Sequence, residues 1–188
     1  VTLSRSLNDI LDNHIATIER CRVLLPEIEA LATACLQSLD SGAKLMFCGN
    51  GGSAADCQHI ATELTIRFEA DRNALAAIAL TTDTSALTAA GNDIGFDRIF
   101  SRQVEALGRP GDILIGLTTS GTSANILSAF DAAKIAGVHT VCLTGRDGGI
   151  SREHADTVIV VPSKNTARIQ EAHIMIGHML CHAIESAQ

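Results

Sequence analysis

The sequence contains no tryptophan and no tyrosine, and its five phenylalanines leave the aromatic share at 3%. It is also short of positive charge: 14 Lys and Arg stand against 21 Asp and Glu, a formal net charge of −7. With neither stacking aromatics nor a basic stripe, the chain is not expected to bind nucleic acid. No apolar run reaches the roughly 18 residues that a bilayer crossing needs, so no membrane association is expected. The first residues read as a polar, amphipathic helix and not as a signal peptide. No C-x-x-C pair occurs among the six cysteines (21, 35, 48, 57, 142 and 181). They fall mostly on apolar faces and read as reduced core thiols of a cytoplasmic protein. A G-x-x-x-x-G-K-[ST] motif is missing too, which argues against a nucleoside triphosphate P-loop.

What is present is apolar. At 46% hydrophobic residues and a mean hydropathy of +0.23, a chain of 188 residues has more than one small core requires. Subunit contacts are expected to bury the excess. Leu3, Leu7, Ile10, Leu11, Ile15, Ile18 and Cys21 form one helical stripe over residues 3–24. Pro26 opens a second helix running to Leu39. Both precede any strand, so they are expected to cover the sheet and to form a seam with another subunit. From residue 44 strands and helices alternate, with strands at 44–48, 76–80, 112–118, 138–143 and 157–161. Helices are expected at 53–68, 84–90, 96–107 and 165–186, with a Gly91-Asn92-Asp93 turn between two of them. The fold class expected is α/β: a doubly wound, five-stranded parallel sheet flanked by helices, with the two N-terminal helices as an oligomer seam. Residues 1–188 read as one domain, with 1–41 a helical extension and 42–188 the α/β core.

The stretch around which this order is arranged is Lys44–Asp56, a buried strand that runs into Gly49-Asn50-Gly51-Gly52-Ser53. Three glycines allow a tight turn, and Ser53 is expected to cap a helix whose positive end favours an anion. His59, Glu63 and Arg67 then recur every four residues along that helix. Gly49 to Ala54 also satisfies G-x-G-x-x-A, the loose dinucleotide fingerprint. Its acidic partner is misplaced, however: Glu69 precedes the next strand and Asp83 lies too far on. A second strand ends in Thr118-Thr119-Ser120-Gly121-Thr122-Ser123, five hydroxyls where an N-cap needs one. Two such turns at adjacent strand ends suit a phosphate monoester. The last helix is apolar nearly all round yet carries Gln170, Glu171, His173, His178 and His182. Those buried polar groups need partners. His178 and His182, four apart, also have the spacing of a metal pair, which spacing alone does not decide.

Cys48-Gly-Asn-Gly-Gly-Ser53, Gly91-Asn-Asp93, Thr119-Ser-Gly-Thr-Ser123, Leu143-Thr-Gly145, Asp147-Gly-Gly149 and Arg168-Ile-Gln-Glu171 together resemble a sugar isomerase (SIS) domain. More narrowly, they resemble the bacterial phosphoheptose isomerases. The resemblance covers nearly the whole chain. It implies an aldose–ketose isomerase that converts sedoheptulose 7-phosphate to D-glycero-D-manno-heptose 7-phosphate through an enediol. That is the first step toward ADP- or GDP-heptose, for lipopolysaccharide, capsule or glycoprotein. It further implies a cytoplasmic homotetramer with active sites shared between subunits and one zinc per subunit. By position, it gives Glu63 and His178 the catalytic roles and makes His59, Glu63, Gln170 and His178 the zinc ligands. Substrate would be held by Asn50, Gly51, Gly52, Ser53, Arg67, Asn92, Asp93, Thr118, Thr119, Ser120, Ser123 and Gln170. Thr118 stands where serine is common, and Ala167 where many relatives have an aspartate. Non-catalytic SIS proteins that bind the replication initiator or sense a sugar phosphate are the rival; the initiator-binding ones look different, lacking the acid and histidine found here at 63 and 178.

Overall fold

Runs of three to six mostly apolar residues form the strands of the computed structural model, which describes residues 3–187. β1 (Leu45–Gly49), β2 (Ala77–Ala79), β3 (Ile113–Leu117), β4 (His139–Thr144) and β5 (Thr157–Val160) pair in the order β2-β1-β3-β4-β5, every pair parallel. The helices are α1 (Leu3–Arg20), α2 (Leu25–Asp40), α3 (Gly52–Thr65), α4 (Thr84–Asp93), α5 (Ser101–Leu107), α6 (Ala124–Ile135), α7 (Ser151–His154) and α8 (Thr166–Glu185).

The period of two along a strand splits the core into two layers. Leu45, Phe47, Ile113, Ile115, Val141 and Leu143 face α2, α3 and α8. Met46, Cys48, Leu114 and Cys142 face α5 and α6. Covering on both sides explains why β1 and β3 are buried at every residue. Edge strand β2 is half-open and only three residues long. All six cysteines are buried and free. No helix among the described residues is long and apolar enough to cross a membrane.

Several local expectations are corrected. The first helix ends at Arg20, and a 3₁₀ turn over Cys21–Leu24 brings Cys21 and Leu24 into the core. Of α1, Thr17 alone is buried, and Leu3, Leu7, Ile10, Leu11 and Ile15 remain 48–77% exposed. α2 therefore covers the sheet and α1 does not. Instead α1 is tied to α8 by polar bonds, from Arg168 Nη1 to the Ile10 carbonyl (2.7 Å) and between His14 Nδ1 and Glu171 Oε2 (2.7 Å). Gly91, Asn92 and Asp93 form the last turn of α4 and not a separate turn; Gly95, at φ 99°, ends that segment. The expected 96–107 helix divides into a 3₁₀ turn at Phe96–Arg98 and α5, with Ile99 and Phe100 buried at the break.

Successive strands leave β1 on opposite sides, β2 to one edge and β3 to the other. In an open parallel sheet this reversal opens a crevice at the carboxyl ends of the two central strands, here β1 and β3.

Candidate active site

Two glycine-containing turns enter that crevice. After β1, Gly51 has φ 57° and ψ −121°, a conformation open to glycine alone. A Cβ on Gly49 would lie 2.7 Å from the Ser53 carbonyl oxygen, so the strand and the start of α3 approach through a missing side chain. Gly51 is the N-cap and α3 begins at Gly52. Ser53, expected as the cap, is the second helical residue, 3% exposed and making no cap bond. After β3, Ser123 occupies the N-cap of α6, but its hydroxyl pairs with Thr118 Oγ1 at 3.0 Å instead of capping. Ser120 Oγ and Thr122 Oγ1 pair at 2.9 Å, and Thr119 lies half-buried beside them. By contrast, Asp83 caps α4 and Asn165 caps α8 with their own side-chain oxygens. The positive ends of α3 and α6 thus open onto the crevice without a side-chain acceptor, among hydroxyls, which is the chemistry of an anion cradle.

Gln170 belongs to this end of the molecule. Its amide nitrogen lies 2.8 Å from where a Cβ on Gly52 would sit, so the glycine makes room for it. Asn50 and Asn125 exchange hydrogen bonds across the two turns. Asn125 was not among the residues singled out from the sequence.

Further along, α3 carries acid–base groups toward α8. Gly177 lets the two helices touch, since a Cβ there would be 2.5 Å from Ile60 Cδ1. His59 Nε2 is 3.0 Å from Glu63 Oε1, and His178 Nε2 is 3.3 Å from His59 Nε2. The imidazoles meet edge-on at 5.0 Å between centroids, and Phe68 stacks on His178 at 5.6 Å. Glu63 and His178 therefore converge within a single chain. Asp56, one turn before His59, is a further group missed from the sequence, although it shares the helix face of His59 and Glu63. Burial pushes its carboxyl up from the usual range, opposed by the nearby His59 and His178 imidazoles.

Other expected residues lie elsewhere. α3 stops at Thr65, so Arg67 leaves the helical stack and is exposed. Asn92 donates to Asp93 at the exposed end of α4, where Asp93 lines a cleft with Ala86, Arg102 and Gln103. His182 faces Glu69 at 3.5 Å while His178 turns to His59, so the 178/182 pair does not close on a common point. His173 is fully buried, with its Nε2–H donated to the Thr144 carbonyl (3.2 Å), and burial pushes its imidazole down to about 4.

The zinc expectation can be tested on the donors. Two zinc–nitrogen bonds of about 2.0–2.1 Å at the tetrahedral angle place their nitrogens about 3.3 Å apart. That is the His59–His178 spacing. One ring proton on His59 Nε2 cannot serve both Glu63 and His178, whereas a shared cation satisfies three facing lone pairs. His59 and His178 thus have the spacing of two ligands on one ion, with Glu63 beside them. They lie in a row, and among the described residues no three His, Cys, Asp or Glu side chains close into a ready-made cage. Gln170, the fourth ligand that the resemblance implies, reaches α3 at Gly52, two turns before His59.

Comparison with known proteins matches residues 11–145 to the SIS domain model. A phosphoheptose isomerase of Paramagnetospirillum magneticum is 56% identical over 158 residues, 84% of this chain and 82% of that one. The structure of a phosphoheptose isomerase from Neisseria gonorrhoeae is similar at a TM-score of 0.92 and 46% identity, covering 98% of this chain and 100% of that one. One from Francisella tularensis is similar at a TM-score of 0.96 and 41% identity, covering 99% and 100%.

Proposed function

The chain belongs to the SIS domain family, and from that membership we propose that it is an aldose–ketose isomerase that converts sedoheptulose 7-phosphate to D-glycero-D-manno-heptose 7-phosphate, the entry to heptose biosynthesis. The observation that carries this reading is the Glu63–His59–His178 row, built inside one chain where α8 meets α3, the helix whose N-terminus forms the anion turn. From Ser53 to His59 is about 9 Å along α3. That matches the span of an extended seven-carbon sugar between its phosphate and its reacting carbons.

In this reading the hydroxyls of Ser53, Thr118, Thr119, Ser120 and Ser123 and the helix ends hold the phosphate, with Asn50 and Gln170 beside them. Glu63 takes a proton from one of the two adjacent carbons and returns it to the other. His178 moves the proton between the two oxygens as the enediol forms and collapses. Each role is worth about 10²–10⁴-fold. His59, Glu63, Gln170 and His178 would hold a zinc ion, whose chemistry is to polarise a carbonyl or hydroxyl oxygen. The exposed apolar stripe of α1 supports a homotetramer. The free, buried thiols support a cytoplasmic setting.

The test is incubation with sedoheptulose 7-phosphate, with and without a chelator, following formation of the aldose. Turnover supports the reading. Its absence, with a ligand-dependent rise in Tm, would leave a binding-only protein.

A further inference from the structure

Asn50 follows β1 directly and precedes the N-cap of α3, and Asn125 is the second residue of α6. Asn125 Nδ2 donates to Asn50 Oδ1 at 2.8 Å, and Asn50 Nδ2 donates to Asn125 Oδ1 at 2.9 Å. Two bonds exchanged head to tail between planar amides fix each amide plane relative to the other. Asn125 is 3% exposed, so little water competes for them.

Each amide has two N–H donors and two acceptor lone pairs, and the pair uses one of each. Asn50, half-buried at the crevice turn, therefore keeps one N–H for a ligand. Rotation about the terminal torsion of an asparagine is soft and roughly two-fold, so without a partner the plane of the Asn50 amide would not be held. The same pair links the first residue beyond β1 to the first turn of α6, and so sets the distance between the two helix ends.

We propose that Asn125 is a positioning residue: through Asn50 it holds the plane of that amide and keeps the β1–α3 and β3–α6 turns at the spacing a phosphate monoester needs, without touching substrate itself. The proposal rests on the sugar-phosphate reading of the crevice.

The experiment compares wild type, Asn50→Ala, Asn125→Ala and the double variant. It measures kcat and KM for sedoheptulose 7-phosphate, and the Tm shift that inorganic phosphate induces relative to each protein's own baseline. Asn125→Ala should raise KM about tenfold, the loss of a buried, directed hydrogen bond, with kcat nearly unchanged and a smaller phosphate-induced shift. The double variant should be no worse than Asn50→Ala alone, because one residue acts through the other. Effects on KM that multiply would overturn the proposal. So would a lowered baseline Tm with KM and the phosphate shift intact, since the pair would then be structural only. Should Asn125→Ala not fold, Asn125→Ser replaces it with the same expectations. A wild type with neither turnover nor a phosphate-induced shift would overturn this proposal and the sugar-phosphate reading together; loss confined to the comparison overturns the proposal alone.

Discussion

The Nε2 atoms of His59 and His178 lie 3.3 Å apart although 119 residues separate them in the chain. The contact exists because α3 and α8 are packed through Gly177 against Ile60, which brings one turn of each helix into register. Glu63, 3.0 Å from His59, completes the row.

Glu63→Gln keeps the shape and hydrogen bonding of the side chain and removes its basicity. Turnover of sedoheptulose 7-phosphate should fall at least ~10²-fold, with Tm and the phosphate-induced Tm shift retained. Near-normal isomerisation by this variant would remove Glu63 from the mechanism.

Ser120→Ala deletes a hydroxyl from the β3–α6 turn, where Ser120 now pairs with Thr122. Steady-state kinetics should show a raised KM with kcat nearly kept, the signature of a group that binds ground and transition states alike. A loss confined to kcat would contradict the phosphate-cradle role.

His59→Ala removes the central donor of the row. Purified wild type should carry one zinc per subunit by mass-spectrometric metal analysis, and this variant should carry a small fraction of that. Equal metal content in the two proteins would place the zinc elsewhere.

His173 makes stability depend on pH. An unfolded histidine gains its proton near 6.5, whereas the folded imidazole resists protonation until about 4. Its neutral burial therefore contributes fully above pH 6.5, and that contribution is lost as the pH falls toward 4, by about 3 kcal/mol. Urea unfolding at pH 7 and pH 4.5 should show this loss, and His173→Gln should flatten it. An unchanged slope in the variant would assign the pH dependence to other groups.

Leu7→Asp combined with Ile15→Asp puts charge on the exposed stripe of α1. Light scattering should show a tetramer for wild type and a smaller species for the variant, each buried leucine or isoleucine being worth about 1.5–3 kcal/mol. A tetramer that survives both charges would put the subunit contact on another face.

Strand positions were legible to within a residue or so, because five apolar runs bounded by turn residues leave few alternatives for a parallel sheet. The glycine turn and the hydroxyl loop were legible for the same reason: both are contiguous stretches at strand ends. Local capping was not. Ser53 has the residue type of a cap, but Gly51 takes that place because its φ and ψ suit only glycine. The helical stack of His59, Glu63 and Arg67 loses its last member where the helix stops at Thr65, a stop no motif announces. Asn125 escaped notice because its partner is 75 residues away and an asparagine inside a helix start carries no signal of its own.

By itself, the sequence determined the α/β alternation, the glycine turn and the hydroxyl turn at the strand ends and the chemical types available to them, since each depends on neighbours within a few residues along one backbone. Only the tertiary structure decided that His178 meets His59 and not His182, that Gln170 reaches Gly52, and that the stripe on α1 is left uncovered by the chain's own core. Those outcomes depend on which helix faces pack together, and packing is settled by the summed burial of the whole core.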